Sequence, residues 1–282
     1  MSTPSRKRRL DLALVEEGHA RSRSHARRII EEGRALIDGR TAGRASTPIG
    51  PGVTLSVQSA PDGAEYVSRG AHKLVGALET LSIDPTGQRC LDAGASTGGF
   101  TDVLLRRDAA EVVAVDVGHD QLDARLRSDP RVHVHEGTTI RDLDPARIGG
   151  AVDLLVADLS FISLVTVAAD LARLVRIDGD LLLMVKPQFE VGRTALPRTG
   201  VIRDPRTRCE TVLAVARAAA DEGLETLGAG PSQLTGQHGN REYFLHLRRR
   251  EHASPPGPEA CAMIERAVLG GTGSGSTKEQ RG

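Results

Sequence analysis

The segment that most restricts how this chain can fold is Leu91-Asp92-Ala93-Gly94-Ala95-Ser96-Thr97-Gly98-Gly99-Phe100, where a short apolar run passes through a glycine-rich turn into a helical stretch. A strand that becomes a helix within so few residues belongs to the βα unit of a parallel sheet. Runs of strand length recur at Cys90–Ala93, Val112–Asp116, Val132–His135, Val152–Ala157, Leu181–Lys186, Leu224–Leu227 and Tyr243–Leu247, and helical stretches separate the first five. The Gly/Pro-rich segment Gly228–Gly239 is too short for a crossover helix. It predicts a hairpin, and therefore one antiparallel strand. The expected fold class is α/β, with a seven-stranded, mostly parallel sheet.

Residues 10–57 follow another pattern. Leu10, Leu14 and Val15 make one apolar helical face, Ala26, Ile29 and Ile30 make another, and Gly18 and Gly33 stand where each helix should stop. Ala35-Leu36-Ile37, the turn Asp38-Gly39 and Val53–Val57 predict a hairpin-like finish. This gives a small α+β domain over residues 6–60, a linker over 61–67, the α/β domain over 68–250 and a partly disordered extension over 251–282. Within that extension, Glu259 to Leu269 reads as a short helix.

Charge divides along the same boundary. The whole chain balances 37 Lys/Arg against 37 Asp/Glu, whereas residues 1–60 carry 11 against 6. A basic end on a neutral chain suits a polyanion at that end only. Arg6, Arg21, Arg23, Arg27, Arg28 and Arg34 are the candidate contacts, since guanidinium offers the planar, multidentate donors that phosphate accepts. With few aromatics nearby, RNA recognition through phosphate and shape is expected rather than base stacking.

Other classes are disfavoured. Cys90, Cys209 and Cys261 are odd in number and widely spaced, which suggests neither a disulfide framework nor a zinc site and makes a reducing cytoplasm the expected location. The most apolar stretch, residues 151–175, is interrupted by Asp153, Asp158 and Asp170, so no membrane span is expected. His133 and His135 share a strand face but lack a third ligand, and no metal is expected.

The glycine turn suits a ligand held by backbone amides at a helix N-terminus. The dinucleotide fingerprint requires a second glycine two residues after the first, and that position is Ser96. The observed Gly94-x-x-x-Gly98-Gly99 is instead the spacing of class I methyltransferases, which bind S-adenosylmethionine. Asp92 can order the turn or meet the amino group of the cofactor's methionine. Asp116, at the end of the second strand, can accept hydrogen bonds from both ribose hydroxyls. Ser96, Thr97, Gly98, Gly99 and Phe100 complete the candidate cofactor site.

Methyl transfer to a hydroxyl needs a nucleophile held in line and help with its proton. Four ionisable residues stand where such help can come from: Lys73 on the helix leading into the sheet, Asp158 after the fourth strand, Lys186 closing the fifth, and Glu242 opening the last. Asp158-Leu159-Ser160-Phe161 lacks the paired prolines with which base N-methyltransferases hold an amine. Phe161 and Phe189 follow these positions and can either stack a base or pack in the core.

At these residues the chain resembles the TlyA family, the haemolysin-A-like rRNA 2′-O-methyltransferases related to the FtsJ methyltransferases. The resemblance rests on Ser68-Arg-Gly-Ala-His-Lys-Leu, Asp92-Ala-Gly-Ala-Ser-Thr-Gly-Gly-Phe, Ala157-Asp-Leu-Ser-Phe-Ile-Ser-Leu and Val185-Lys-Pro-Gln-Phe-Glu. It implies a class I (Rossmann-like) methyltransferase domain behind an S4-like RNA-binding domain. It also implies that Lys73, Asp158, Lys186 and Glu242 form the family's catalytic tetrad. The implied substrate is cytidine ribose in rRNA, both 16S and 23S, free or within subunits, with a link to capreomycin and viomycin susceptibility. The rival functions are a base N-methyltransferase, a haemolysin, as the family's older name suggests, and a non-catalytic RNA-binding protein.

Overall fold

The structure is a computed structural model and describes residues 7–20, 23–59, 66–192, 194–236 and 239–270. The chain divides into two compact units, Met1–Arg69 and Gly70–Gly282. Arg6, Arg21, residue 60 of the small domain, residues 61–65 of the expected linker and residues 271–282 of the expected extension lie outside the described residues.

In the first unit, strand β1 (Arg8–Arg9) leads into helices α1 (Leu10–Glu16) and α2 (Arg23–Glu31). Strands β2 (Ala35–Ile37), β3 (Arg40–Thr41), β4 (Pro48–Ile49) and β5 (Leu55–Val57) follow. Leu10, Leu14, Ala26, Ile29 and Ile30 are buried together, so both predicted helical faces meet in one small core. Gly33 ends α2 at a φ of 71°, with the amides of Gly33 and Arg34 bonded back to Ile30 and Ile29. That pattern is a Schellman stop, and its left-handed residue favours glycine. The Asp38-Gly39 turn joins β2 to β3, and β5 pairs with the opposite edge of β2. The hairpin-like finish is thus three strands, and β4 pairs separately with β1.

The second unit opens with α3 (Gly70–Thr80), then β6 (Arg89–Ala93), α4 (Gly99–Arg106), β7 (Glu111–Val115), α5 (Ala124–Arg127) and β8 (Val132–His135). It continues through β9 (Val152–Ala157), α6 (Leu164–Leu174), β10 (Val175–Val185), α7 (Pro187–Glu190) and α8 (Pro205–Asp221). It closes with β11 (Leu224–Pro231), β12 (Tyr243–Arg249) and α9 (Pro258–Leu269). The seven strands lie in the order β11-β12-β10-β9-β6-β7-β8, and β12 runs antiparallel to both neighbours. The fold is the expected α/β class with a mostly parallel sheet. Strands β6, β7 and β9 are buried along nearly their whole length, as parallel strands covered on both faces must be.

Three features depart from the expected pattern. The connection from β8 to β9 contains only a 3₁₀ turn, Pro145–Ile148, because Gly137, Pro145 and Gly149-Gly150 interrupt any longer helical run. Strand β11 continues through Gly228 to Pro231, where loop had been expected. A Cβ at Gly228 would stand 2.9 Å from Leu81 Cδ2, so here glycine marks a close approach and not a turn. Finally, Lys186 lies one residue beyond β10 as the N-cap of α7, because Pro187 has no N–H to continue the ladder. Helix α9 packs into the main core through Ile264 and Val268.

The strand order reverses between β6 and β9, which are hydrogen-bonded to one another while their following connections leave in opposite directions. In an open α/β sheet, the crevice beyond the carboxyl ends of such strands is the place for a ligand.

Candidate active site

The turn after β6 is built from backbone approaches that only small residues permit. Gly94 has a φ of 86°, and a Cβ there would stand 2.9 Å from the Asp158 carbonyl oxygen. Gly98, at a φ of 93°, caps α4, and a side chain on it would overlap Leu122 and Leu126. Asp92 is fully buried behind the turn, where its Oδ2 accepts from the Thr101 amide (2.9 Å) and the Thr101 hydroxyl (2.7 Å). Its Oδ1 is buried with no partner. Burial, partly opposed by the Thr101 bonds, pushes its carboxyl up to about 7.

Asp116 accepts from the Ser96 amide at 2.8 Å and the Gly118 amide at 2.7 Å. Beside it lies a cavity of about 410 Å³ lined by Gly94, Ser96, Asp116, Asp158 and Ser160, a size suited to a nucleoside cofactor. Of the sequence-predicted cofactor residues, Gly94, Ser96 and Asp116 face this cavity. Gly98, Gly99 and Phe100 are buried at the start of α4, and Thr97 is exposed on the turn. Val117, Gln121, Thr138, Thr139 and Ile140 also line the cavity and were not foreseen. Thr138 and Thr139 follow the end of β8, so their place after a parallel strand was the available signal.

The four ionisable residues converge because of strand register. Ala157 pairs with Leu183 and Val185 pairs with Tyr243, which brings Asp158, Lys186 and Glu242 to one edge. The Lys186 ammonium lies 2.6 Å from Asp158 Oδ1. That contact is off the hydrogen-bonding direction, and Oδ1 has no hydrogen-bond partner. Lys186 donates instead to Ser160 Oγ at 2.8 Å. Lys73, from α3, donates to Glu242 Oε2 at 2.5 Å, and its nitrogen sits 4.0 Å from Met184 Sδ. The side chains of Lys186, Lys73 and Glu242 are 9%, 12% and 3% exposed, so both pairs are largely removed from water, whereas Asp158 is 25% exposed toward the cavity. A side chain on Gly236 would overlap the Glu242 carboxylate, so glycine lets the backbone close over it.

Two further contacts brace this edge. Glu190 Oε2 accepts from the Ser163 hydroxyl at 2.6 Å and its Oε1 accepts from the Leu164 amide at 2.9 Å. Burial raises the pKa of Glu190, and these bonds oppose the rise. Phe161 is 88% exposed on a left-handed backbone (φ 65°), and its ring centroid lies 5.1 Å from that of Phe189.

In the first unit, Arg23 and Arg27 surround one fully buried carboxylate, Asp11, with Nη2 and Nε at 3.3 Å and 3.4 Å. Arg9, which sequence reasoning did not single out, adds a two-pronged contact at 2.9 and 3.1 Å. The bond from Arg9 holds the Asp11 carboxyl far below the usual carboxylate range, and Arg23 deepens the shift. Two expected members of the arginine face are engaged elsewhere. Arg28 donates to the Val67 carbonyl. Arg34 is buried and bonded to Gln58 O and Glu32 Oε2, each at 2.8 Å, so it ties strands together and does not face solvent.

Among the described residues, no cluster of three or more His, Cys, Asp or Glu is placed to hold a metal, and no helix is long and apolar enough to cross a membrane.

Two family models match the chain: the S4 domain over residues 8–55 and the FtsJ-like methyltransferase over residues 66–249. The 16S/23S rRNA (cytidine-2′-O)-methyltransferase TlyA of Mycobacterium tuberculosis is 52% identical over 95% of this chain and 99% of its own length. Hemolysin A of Brachyspira hyodysenteriae is 34% identical over 85% of this chain and 99% of its own. A solved structure described as a hemolysin, from Streptococcus thermophilus, superposes with a TM-score of 0.73 at 32% identity, over 93% of this chain and 96% of that one. With the two models covering both units and such identity over nearly full length, the chain belongs to the TlyA family of FtsJ-like methyltransferases, with an S4 domain preceding the catalytic one.

Proposed function

We propose that this chain methylates the ribose 2′-hydroxyl of cytidine in rRNA, using S-adenosylmethionine, and acts on both 16S and 23S rRNA in the cytoplasm. The observation that carries the reading is the pairing of buried Lys186 with Asp158, which lines the cavity, and of Lys73 with Glu242 at the same sheet edge. The similarity to the mycobacterial rRNA methyltransferase supports the choice of substrate.

The residues present fit the cofactor. Asp92 Oδ1 is a buried acceptor without a partner, which an ammonium would satisfy. Gly94 and Asp116 both line the cavity, where ribose hydroxyls can donate to the Asp116 carboxylate. When bound, S-adenosylmethionine supplies a methyl group activated on a sulfonium. In this reading Lys186, once its own proton has passed to solvent, takes the proton of the 2′-hydroxyl at Nζ as that oxygen becomes a nucleophile. Asp158 stabilises the charge of Lys186 once it is protonated. Lys73 and Glu242 position the ribose and, as a neutral pair, add no net charge to the site. The α1–α2 surface binds RNA phosphate through Arg23 and Arg27 together with Arg9; Arg6 and Arg21 belong to the same reading. Arg28 and Arg34 are left out of it because their guanidiniums hold backbone carbonyls.

The test is methylation of 16S and 23S rRNA, free and in subunits, with a labelled methyl donor and mass spectrometry of the nucleosides. The expected product is 2′-O-methylcytidine. A base-methylated product would instead support an N-methyltransferase, and no product together with no cofactor binding would support a purely RNA-binding role. The same reading predicts that a strain lacking the chain is less susceptible to capreomycin and viomycin.

A further inference from the structure

The segment that follows β9 is held against α7 at three successive points. Lys186 donates to Ser160 Oγ, the Phe189 ring lies beside Phe161, and Glu190 accepts from Ser163 and Leu164. Because Pro187 starts α7 immediately after Lys186, the lysine and this segment share one rigid frame. The left-handed backbone at Phe161 follows directly after Ser160, so the chain bends there, and Ser160 lines the cavity.

A neutral lysine amine has two N–H bonds and one lone pair, and it rotates freely about Cε–Nζ unless its N–H groups are held. Asp158 Oδ1 lies 2.6 Å from the nitrogen but off the hydrogen-bonding direction, so it does not hold an N–H and leaves the rotation unfixed. The aligned bond is the one to Ser160 Oγ, at 2.8 Å. We propose that Ser160 is a positioning residue for methyl transfer, whose hydroxyl oxygen holds one N–H of Lys186 and so aims the lysine lone pair at the ribose 2′-oxygen. This rests on the reading of Lys186 as the proton acceptor. Ser160 itself is exposed, so loss of its hydroxyl leaves no buried hole and places no burden on the fold.

The experiment compares wild type, Ser160→Ala and Ser160→Thr as full chains, with rRNA and S-adenosylmethionine under single-turnover conditions. Cofactor affinity by calorimetry and Tm are measured in parallel. Ser160→Ala should slow methyl transfer about tenfold or more, with cofactor Kd and Tm unchanged, since one orienting bond is lost and binding is not. Ser160→Thr, which keeps the oxygen, should recover to within about threefold of wild type. The proposal is overturned by a wild-type rate in Ser160→Ala, by a Ser160→Thr rate as low as that of alanine, or by a rate loss matched by weaker cofactor binding. Failure of the underlying reading looks different: Lys186→Ala would then keep its activity, or the wild-type product would carry its methyl on a base.

Discussion

Both units bring cations and carboxylates together, but in different proportions. In the first unit, one buried carboxylate, Asp11, is shared by Arg9, Arg23 and Arg27, whose side chains are 44%, 52% and 53% exposed. The cluster keeps an excess of positive charge facing water, and its donors remain available to another anion. In the second unit Lys73 and Lys186 each have their own carboxylate, and three of the four side chains are nearly buried. That arrangement is charge-balanced. Exposed surplus charge serves long-range attraction to a polyanion and is screened by salt. Buried balanced charge contributes little to attraction and a great deal to geometry, because an uncompensated buried ion is costly.

The sharpest way to break the comparison is to remove a lysine from the balanced side. Lys186→Ala should lower methyl transfer by about a thousandfold, within the range for loss of a general base, while cofactor binding survives. Normal turnover in that variant would remove Lys186 from the mechanism. Next comes Glu242→Ala, which leaves Lys73 buried without its partner and should destabilise the second unit by about 3 kcal/mol, read from urea unfolding. An unchanged midpoint would show that water reaches Lys73.

Asp92 provides a test by pH. Its folded value of about 7 lies above the ordinary 3.8, so between these values the folded state holds a proton that the unfolded chain has released. The stability of the ligand-free protein should therefore fall as pH rises through that window and level off above it. Asp92→Asn should reduce the slope in Tm against pH and weaken S-adenosylmethionine binding; an unchanged slope would place its origin elsewhere.

On the surplus side the effects are smaller. Asp11→Asn should cost about 1–2 kcal/mol, because the neutral amide cannot gather three guanidiniums, and the loss is limited by their exposure. Its carboxylate lies below its ordinary pKa when folded, so its contribution is present at neutral pH and disappears as the solution becomes acidic. Smallest are Arg23→Ala and Arg27→Ala. Each should reduce the slope of log affinity for rRNA against log salt by about one and leave cofactor affinity unaltered. A slope unchanged in the double variant would move the RNA contact away from this cluster.

Much of the catalytic unit was legible in the residues. Strands β6, β7 and β9 are mostly apolar runs followed by an acidic residue or a glycine turn, and a parallel sheet buried on both faces produces such runs. Positions that depended on distant neighbours were less legible. Gly228 and Gly230 looked like turn formers, yet they lie in β11 paired with His246 and Phe244. Arg34 looked like one of a basic face, yet its nearest oxygens are the Gln58 carbonyl and Glu32. Arg9 stood outside the predicted helices, and only the fold brings it against Asp11.

The sequence by itself determined the α/β class, the glycine turn after the first sheet strand and the concentration of arginine at one end. These follow from local periodicity, glycine spacing and charge counts, and none needs a partner far along the chain. Tertiary structure decided which carboxylate each lysine meets, which oxygen takes the Lys186 hydrogen bond and which arginines remain exposed. These depend on strand register and on contacts between segments up to 169 residues apart, as between Lys73 and Glu242. Local pattern carries no record of such distances.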